Sequence, residues 1–244
     1  MQKNAIKSGL SVAACALSLL AAPAKADTIE LNSWWAGNTW DAHIVFNGTN
    51  YHNGAPTSLT EGGGAGGFKT YNLTTDPGRN NSFQSWCVDI FHSFGFASQS
   101  SNILQTAASI FGATKATDLG RLATNHYANV ASNATPGATS AAFQLAIWEI
   151  VNENTGNPYS LSAGAFTATG TGAGLAATWL SELNNTPSGS TYSVKIWEVQ
   201  GDGPSGSGSQ DVAVFTSVPE PDSYAMILAG LGLAGFIARR RRKQ

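Results

Sequence analysis

Cys87 and Gln144 are the residues of this 244-residue chain whose types and settings point most directly to chemistry. Of its two cysteines, Cys15 falls inside an apolar leader, so Cys87 is the single thiol of the segment that follows. A lone cysteine in an exported chain has no internal disulfide partner. It is a buried inert thiol, a thiol paired with another molecule, or a reactive one. Its surroundings, Phe83-Gln84-Ser85-Trp86-Cys87-Val88-Asp89-Ile90-Phe91, are large and apolar, which makes a core thiol the plainest reading. Gln144 lies in a helical pattern from Thr139 to Asn152. At about 100° per residue, Val151 falls ~20° to one side of it and Trp148 ~40° to the other, with Glu149 and Glu153 opposite. A buried primary amide without partners costs on the order of 1–3 kcal/mol, so Gln144 is held either by backbone groups or by one specific partner.

Thiol and amide together suggest a bond between them. Attack of the Cys87 thiolate on the Gln144 side-chain carbonyl, with loss of ammonia, forms an internal thioester. Such a bond needs a water-poor pocket, for which Trp86, Trp148 and Phe143 are candidates, and a single thiol, because a second would invite exchange. The residues Trp86-Cys87 and Phe143-Gln144-Leu145-Ala146-Ile147-Trp148 resemble the Cys-Gln thioester domains of bacterial surface adhesins, over roughly Trp86 to Asn152. Phe143 stands where that family usually has Thr. The resemblance implies Cys87 as thiol, Gln144 as acyl donor and Trp148 packing beside them. It also implies an adhesin in which an amine or hydroxyl of another surface opens the bond once, without turnover and without a cofactor.

Other chemistries are less well supported by the sequence. His43, His52, His92 and His126 are scattered without metal-ligand spacing, so no metal site is expected. Cys87 with Asp89, His92 or His126 makes a poor thiol-protease set, because Asp89 and His92 are too close along one expected strand to orient each other. The chain is therefore not expected to be an enzyme. Gly62-Gly63-Gly64-Ala65-Gly66-Gly67 lacks the strand, lysine and helix of a phosphate loop and reads as a flexible hairpin loop. A non-covalent carbohydrate- or ice-binding surface is the alternative, with Trp34, Trp35 and Trp40 its best exposed cluster, although no regular Thr-x-Thr ladder accompanies them.

The positioning elements read as strands, then helices, then strands. Thr28 to Leu31, Ala42 to Phe46, Phe68 to Leu73 and Phe83 to Phe91 have strand character. Asn102 to Phe111, Asp118 to Val130, Thr139 to Asn152 and Leu175 to Asn184 have helical character, the third capped by Thr139 or Ser140. Thr191 to Val199 and Asp211 to Thr216 return to strands, joined by a Gly/Ser-rich loop containing Pro204. The expected fold is α+β, a β-sandwich or barrel with a helical insertion between Asn102 and Asn185.

Both ends carry targeting features. Lys3 and Lys7 precede an apolar stretch from Leu10 to Ala22, and Ala24-Lys25-Ala26 forms a small-x-small site, the pattern of a signal peptide over residues 1–26 cut by signal peptidase. At the other end stand Val218-Pro219-Glu220-Pro221, an apolar run from Tyr224 to Ala238, and Arg239, Arg240, Arg241, Arg242 and Lys243. At ~1.5 Å per residue the run reaches roughly 24 Å, short of the ~30 Å hydrocarbon core, as suits a temporary inner-membrane anchor with its cations cytoplasmic. Residues 218–244 resemble the PEP-CTERM sorting signal. That resemblance implies recognition by an exosortase, cleavage near Pro219-Glu220-Pro221 and delivery to the cell surface or extracellular matrix. Between the ends, residues 27–217 form one body. Its five basic residues against thirteen acidic ones leave a charge near −8, which disfavours a nucleic-acid partner. The surface polymer or protein that such a body would meet is not encoded in any motif.

Overall fold

Two long strands frame the molecule, and both are longer than the alternating segments in the sequence suggest. In a computed structural model describing residues 25–131, 137–185, 189–201, 210–218 and 231, β1 runs Asp27–Thr49 and β2 runs Pro56–Asn72. The segments 28–31 and 42–46 are thus one strand, bent by register shifts between Leu31 and Ala42. The expected glycine loop is the middle of β2, with Gly62 paired to His43, Gly63 to Ala42 and Gly67 to Trp35. Close packing explains these glycines. A Cβ on Gly64 would come within 2.8 Å of the Trp34 ring, and one on Gly67 within 2.8 Å of the Trp86 ring.

The remaining strands are β3 Phe83–Cys87, β4 Gln99–Thr106, β5 Phe166–Thr169, β6 Tyr192–Val199 and β7 Val212–Ser217. All pairings are antiparallel and belong to one seven-stranded sheet rather than two stacked ones. Pairing runs β1, β2, β3, β7, β6, β4 and back to β1, a closed ring, with β5 added beside residues 43–46 of β1. Ring closure leaves few free edges for stray association.

Among the described residues four helices, α1 Ala107–Phe111, α2 Ala113–Ala131, α3 Gly137–Asn152 and α4 Ala173–Asn185, follow β4, with β5 between α3 and α4. The α+β class therefore holds. The helix expected over residues 102–111 is corrected, because β4 pairs with β1 through residues 99–102 and with β6 through residues 102–106, and helix begins only after the Thr106 cap, whose hydroxyl accepts from Ser109 N at 3.2 Å. The β6 ladder satisfies the backbone of residues 102–106, and their marginal apolar stripe does not outweigh it.

Helix α3 is the core of the fold, packed on by β1, β2, α2 and α4. Every residue from Ser140 to Asn152 is buried, and so is Glu153 just beyond; the helical pattern places Glu149 and Glu153 on a polar face. There is no solvent face here, since neighbours enclose the helix all round. Phe143, Leu145, Ile147 and Ile150 are fully buried, each contributing about 1.5–3 kcal/mol of transfer free energy. The leader to Ala24, residues 202–209 and the tail after Val218 apart from Leu231 lie outside the described residues, and with them the expected membrane run and Pro219, Glu220, Pro221 and Arg239 to Arg242. No described helix is long and apolar enough to cross a membrane.

Candidate functional site

The site forms where two strands part. The β2–β3 ladder pairs Thr70 with Phe83, Lys69 with Gln84 and Phe68 with Ser85, then stops, while β3 continues along β7 through Trp86 and Cys87. Trp86, fully buried, puts its ring over Gly67 in the widening gap. Cys87 faces Val212 across β7, and Val88 N donates to Asp211 O at 3.0 Å, so the antiparallel pattern turns the N–H and C=O of Cys87 toward the side that β2 has left.

Helix α3 fills that gap. Gln144 Oε1 accepts from Cys87 N at 3.1 Å and Gln144 Nε2 donates to Cys87 O at 2.6 Å, so the carboxamide stands in for the missing peptide unit of a neighbouring strand. One turn earlier, Ser140 Oγ accepts from Gly67 N at 3.1 Å, completing the other lip of the gap. Ser140 is therefore inside the helix and serves β2, rather than capping the helix start. Both bonds come from one helix face, since residues i and i+4 are neighbours.

Sequence-derived site residues thus converge. Cys87 and Gln144 are each 1 % exposed and line one cavity of about 490 Å³, with Trp148 on its wall and Trp86 packed beside Phe143 at 4.8 Å between ring centroids. The Cys87 thiol donates to Asp89 O at 2.9 Å. Burial and then the Asp89 charge push this thiol well above its ordinary range, with the Trp148 indole offsetting part of the effect. The thiol is therefore neutral at physiological pH.

A second cluster adjoins the first and was not anticipated. Strand β3 ends at Cys87, and Asp89 initiates a turn in which its Oδ1 accepts from Phe91 N at 2.7 Å. That turn brings His92 Nδ1 to 2.5 Å from Asp89 Oδ2. The expectation that these two side chains are strand neighbours unable to orient each other is corrected, because residues 88–91 are not strand. His52, from the turn after β1, places Nε2 at 3.3 Å from Asp89 Oδ2 and Nδ1 at 3.9 Å from Asp211 Oδ2. Two of the four scattered histidines therefore meet. Burial would raise the Asp89 carboxyl, but His52 and His92 together hold it below its ordinary value. Asp211 is pushed up to about 6, chiefly by burial, against the Val199 N–H that it accepts at 2.8 Å. The sequence signal for this cluster was the turn-forming aspartate, since an Asx turn three residues ahead of a histidine brings the two together.

The tryptophan cluster is corrected too. Trp34 stacks on Phe68 at 5.1 Å and Trp35 packs edge-on to Trp86 at 6.2 Å, whereas Trp40 is 70 % exposed at the cavity rim. Its setting is thus distinct from that of its two neighbours.

At the C-terminus, residues 217–243 match the PEP-CTERM protein-sorting motif. The motif supports an exported, membrane-transiting precursor whose processing partner is an exosortase. No curated protein and no solved structure is significantly similar to the chain.

Proposed function

We propose that the exported body is a surface or matrix adhesin carrying a thioester between Cys87 Sγ and Gln144 Cδ. The observation that carries this reading is the bracketing of Cys87 by the Gln144 carboxamide, which supplies an acyl donor beside the single thiol of the body. In the reaction the Sγ–Cδ bond forms, the Cδ–Nε2 bond breaks, and the thiol proton leaves with the amide nitrogen as ammonia. The Cys87 N–H already points at Gln144 Oε1, where negative charge develops as the carbonyl is attacked. A neutral, buried thiol suits a bond made once and kept from water. The open cavity beside it suits entry of an amine or hydroxyl from a surface polymer or protein, which would take the acyl group and release Cys87. Such a device acts once per molecule, without turnover, after signal peptidase acts near Ala24 to Ala26 and an exosortase near Pro219 to Pro221.

Intact mass of the exported body tests the reading. The expected result is a mass lower than the sequence value by one ammonia, absent in Cys87→Ala and Gln144→Ala. An unmodified mass with a thiol that alkylates freely on unfolding overturns it.

A second reading, non-covalent carbohydrate binding, is favoured by Trp40, whose exposed ring at the rim offers a stacking face. It predicts glycan retention lost in Trp40→Ala and kept in Cys87→Ala, the reverse of the adhesin expectation.

A further inference from the structure

We propose that His52, Asp89 and His92 form a binding site for one divalent transition-metal ion of the zinc class. Their ligand atoms all lie within 4.8 Å of one another, and the set of two imidazoles and one carboxylate is the donor type that borderline divalent ions prefer. The site does not depend on the thioester.

Three features make this a built site. The first is spacing. Two ligands held at ~2.0–2.1 Å on a tetrahedral ion stand about 3.3 Å apart, and His52 Nε2 lies 3.3 Å from Asp89 Oδ2. The second is an orphaned atom, because His52 Nε2 is buried at that short distance yet meets no hydrogen-bond geometry to any described residue. The nitrogen and the carboxylate thus pair electrostatically at the separation of two ligands on one ion, without the geometry of a well-formed hydrogen bond. The third is support behind the ligands. Asp211 stands behind His52 Nδ1, itself fixed by Tyr51 OH at 3.1 Å and by Val199 N. Asp89 is braced by Phe91 N, and Gln210 Nε2 donates to His92 O at 2.6 Å. At 3.9 Å Asp211 Oδ2 is an electrostatic neighbour of His52 Nδ1, and a carboxylate placed there favours metal binding by the imidazole.

His92 Nδ1 is the ligand that must move. It is hydrogen-bonded to Asp89 Oδ2 at 2.5 Å, and an ion inserted between them needs roughly 0.8 Å more room. Binding therefore exchanges that proton for the metal, the ordinary coupling of metal uptake to proton release. Asp89 and His92 both line the cavity, so a fourth position facing it is open to water or a ligand oxygen.

The test is cobalt and zinc titration of chelator-stripped full-length protein, with His52→Ala, Cys87→Ala and the exposed His43→Ala as variants. The expected result is one ion per chain and a four-coordinate cobalt spectrum without thiolate charge transfer, unchanged in His43→Ala and Cys87→Ala. Affinity should weaken at least ~100-fold in His52→Ala and about 10-fold in Asp211→Asn. His52 is the partly exposed ligand, so its variant should keep the wild-type circular dichroism. Should it fail to fold, the spectrum of the unmodified protein still decides. No uptake, a six-coordinate spectrum, binding unchanged in a folded His52→Ala, or binding lost in Cys87→Ala overturns the proposal.

Discussion

The two halves of α3 bury polar side chains of opposite kinds. Toward its N-terminus, Gln144 places a neutral amide against Cys87, and both of its polar atoms are matched by the backbone of a strand end. Toward its C-terminus, Glu149 and Glu153 are also buried, but as carboxyls. Glu153 collects four N–H donors: Asn154 N and Asn157 Nδ2 on Oε1, Ala165 N and Phe166 N on Oε2. Glu149 has Ser160 N on Oε1 at 2.6 Å, and its Oε2 has no partner among the described residues. Burial pushes the Glu149 carboxyl up to about 8, against the Ser160 N–H and with the Glu153 charge adding to the rise. A neutral group that completes a strand is thus satisfied at any pH. A carboxyl one or two turns away is either saturated with donors or holds a proton.

Removing the donor-saturated member should have the largest effect. Glu153→Ala leaves Ala165 N and Phe166 N without an acceptor in a buried setting, and a loss of about 3–5 kcal/mol is expected. Urea unfolding measures it. A loss under ~1 kcal/mol would mean that the 164–166 turn finds other acceptors.

Glu149 comes next, through pH. Its folded pKa lies above the unfolded value of 4.5, so the native state binds the extra proton and stability falls as pH rises from 4.5 toward 8, then levels off. The loss over that window is on the order of a few kcal/mol, bounded by ~1.4 kcal/mol per pH unit. Glu149→Gln should flatten this part of the curve, and denaturation midpoints at several pH values report the difference from wild type. A wild-type curve that already rises from pH 5 to 8, or an unchanged slope in the variant, contradicts the assignment.

The legible parts of the molecule were those with local signatures. Three helices, the strand content and the convergence of Cys87 with Gln144 follow from apolar periodicity and from one amide placed mid-stripe. The burial of Glu149 and Glu153 did not follow, because it depends on β5 and the 160–165 turn folding over the C-terminal end of α3. The Gly62–Gly67 strand was hidden for a related reason. Its glycines make room for Trp34 and Trp86, which are distant in sequence, so a packing requirement imitates loop composition. His52 and His92 meet only because an Asx turn ends β3 early, a detail that alternation of side chains does not carry.

Gln144 can be made to behave like Glu149, which sharpens the contrast. Gln144→Leu strips both partners from Cys87 and should cost about 2–3 kcal/mol at every pH. Gln144→Glu should cost little at low pH, where a protonated carboxyl still donates to Cys87 O and accepts from Cys87 N. Its stability should then fall as pH rises, because the carboxylate faces that carbonyl in a buried site. Equal stability of the two variants across pH would show that the amide's donor role at Cys87 is dispensable.

The smallest effect isolates one donor of Glu153. Asn157 is exposed and gives Oε1 a single bond at 2.9 Å, so Asn157→Ala leaves three donors in place and exposes no orphaned group to the core. A loss of about 0.5–1.5 kcal/mol is expected, read as a shift in urea midpoint with unchanged slope against denaturant. Ala165 N and Phe166 N keep their acceptor on Oε2, so the turn they belong to should stay in place. A loss above ~3 kcal/mol would show instead that this one exposed amide holds the carboxyl in place for its other donors, so that the bonds gathered on Glu153 are not independent of one another.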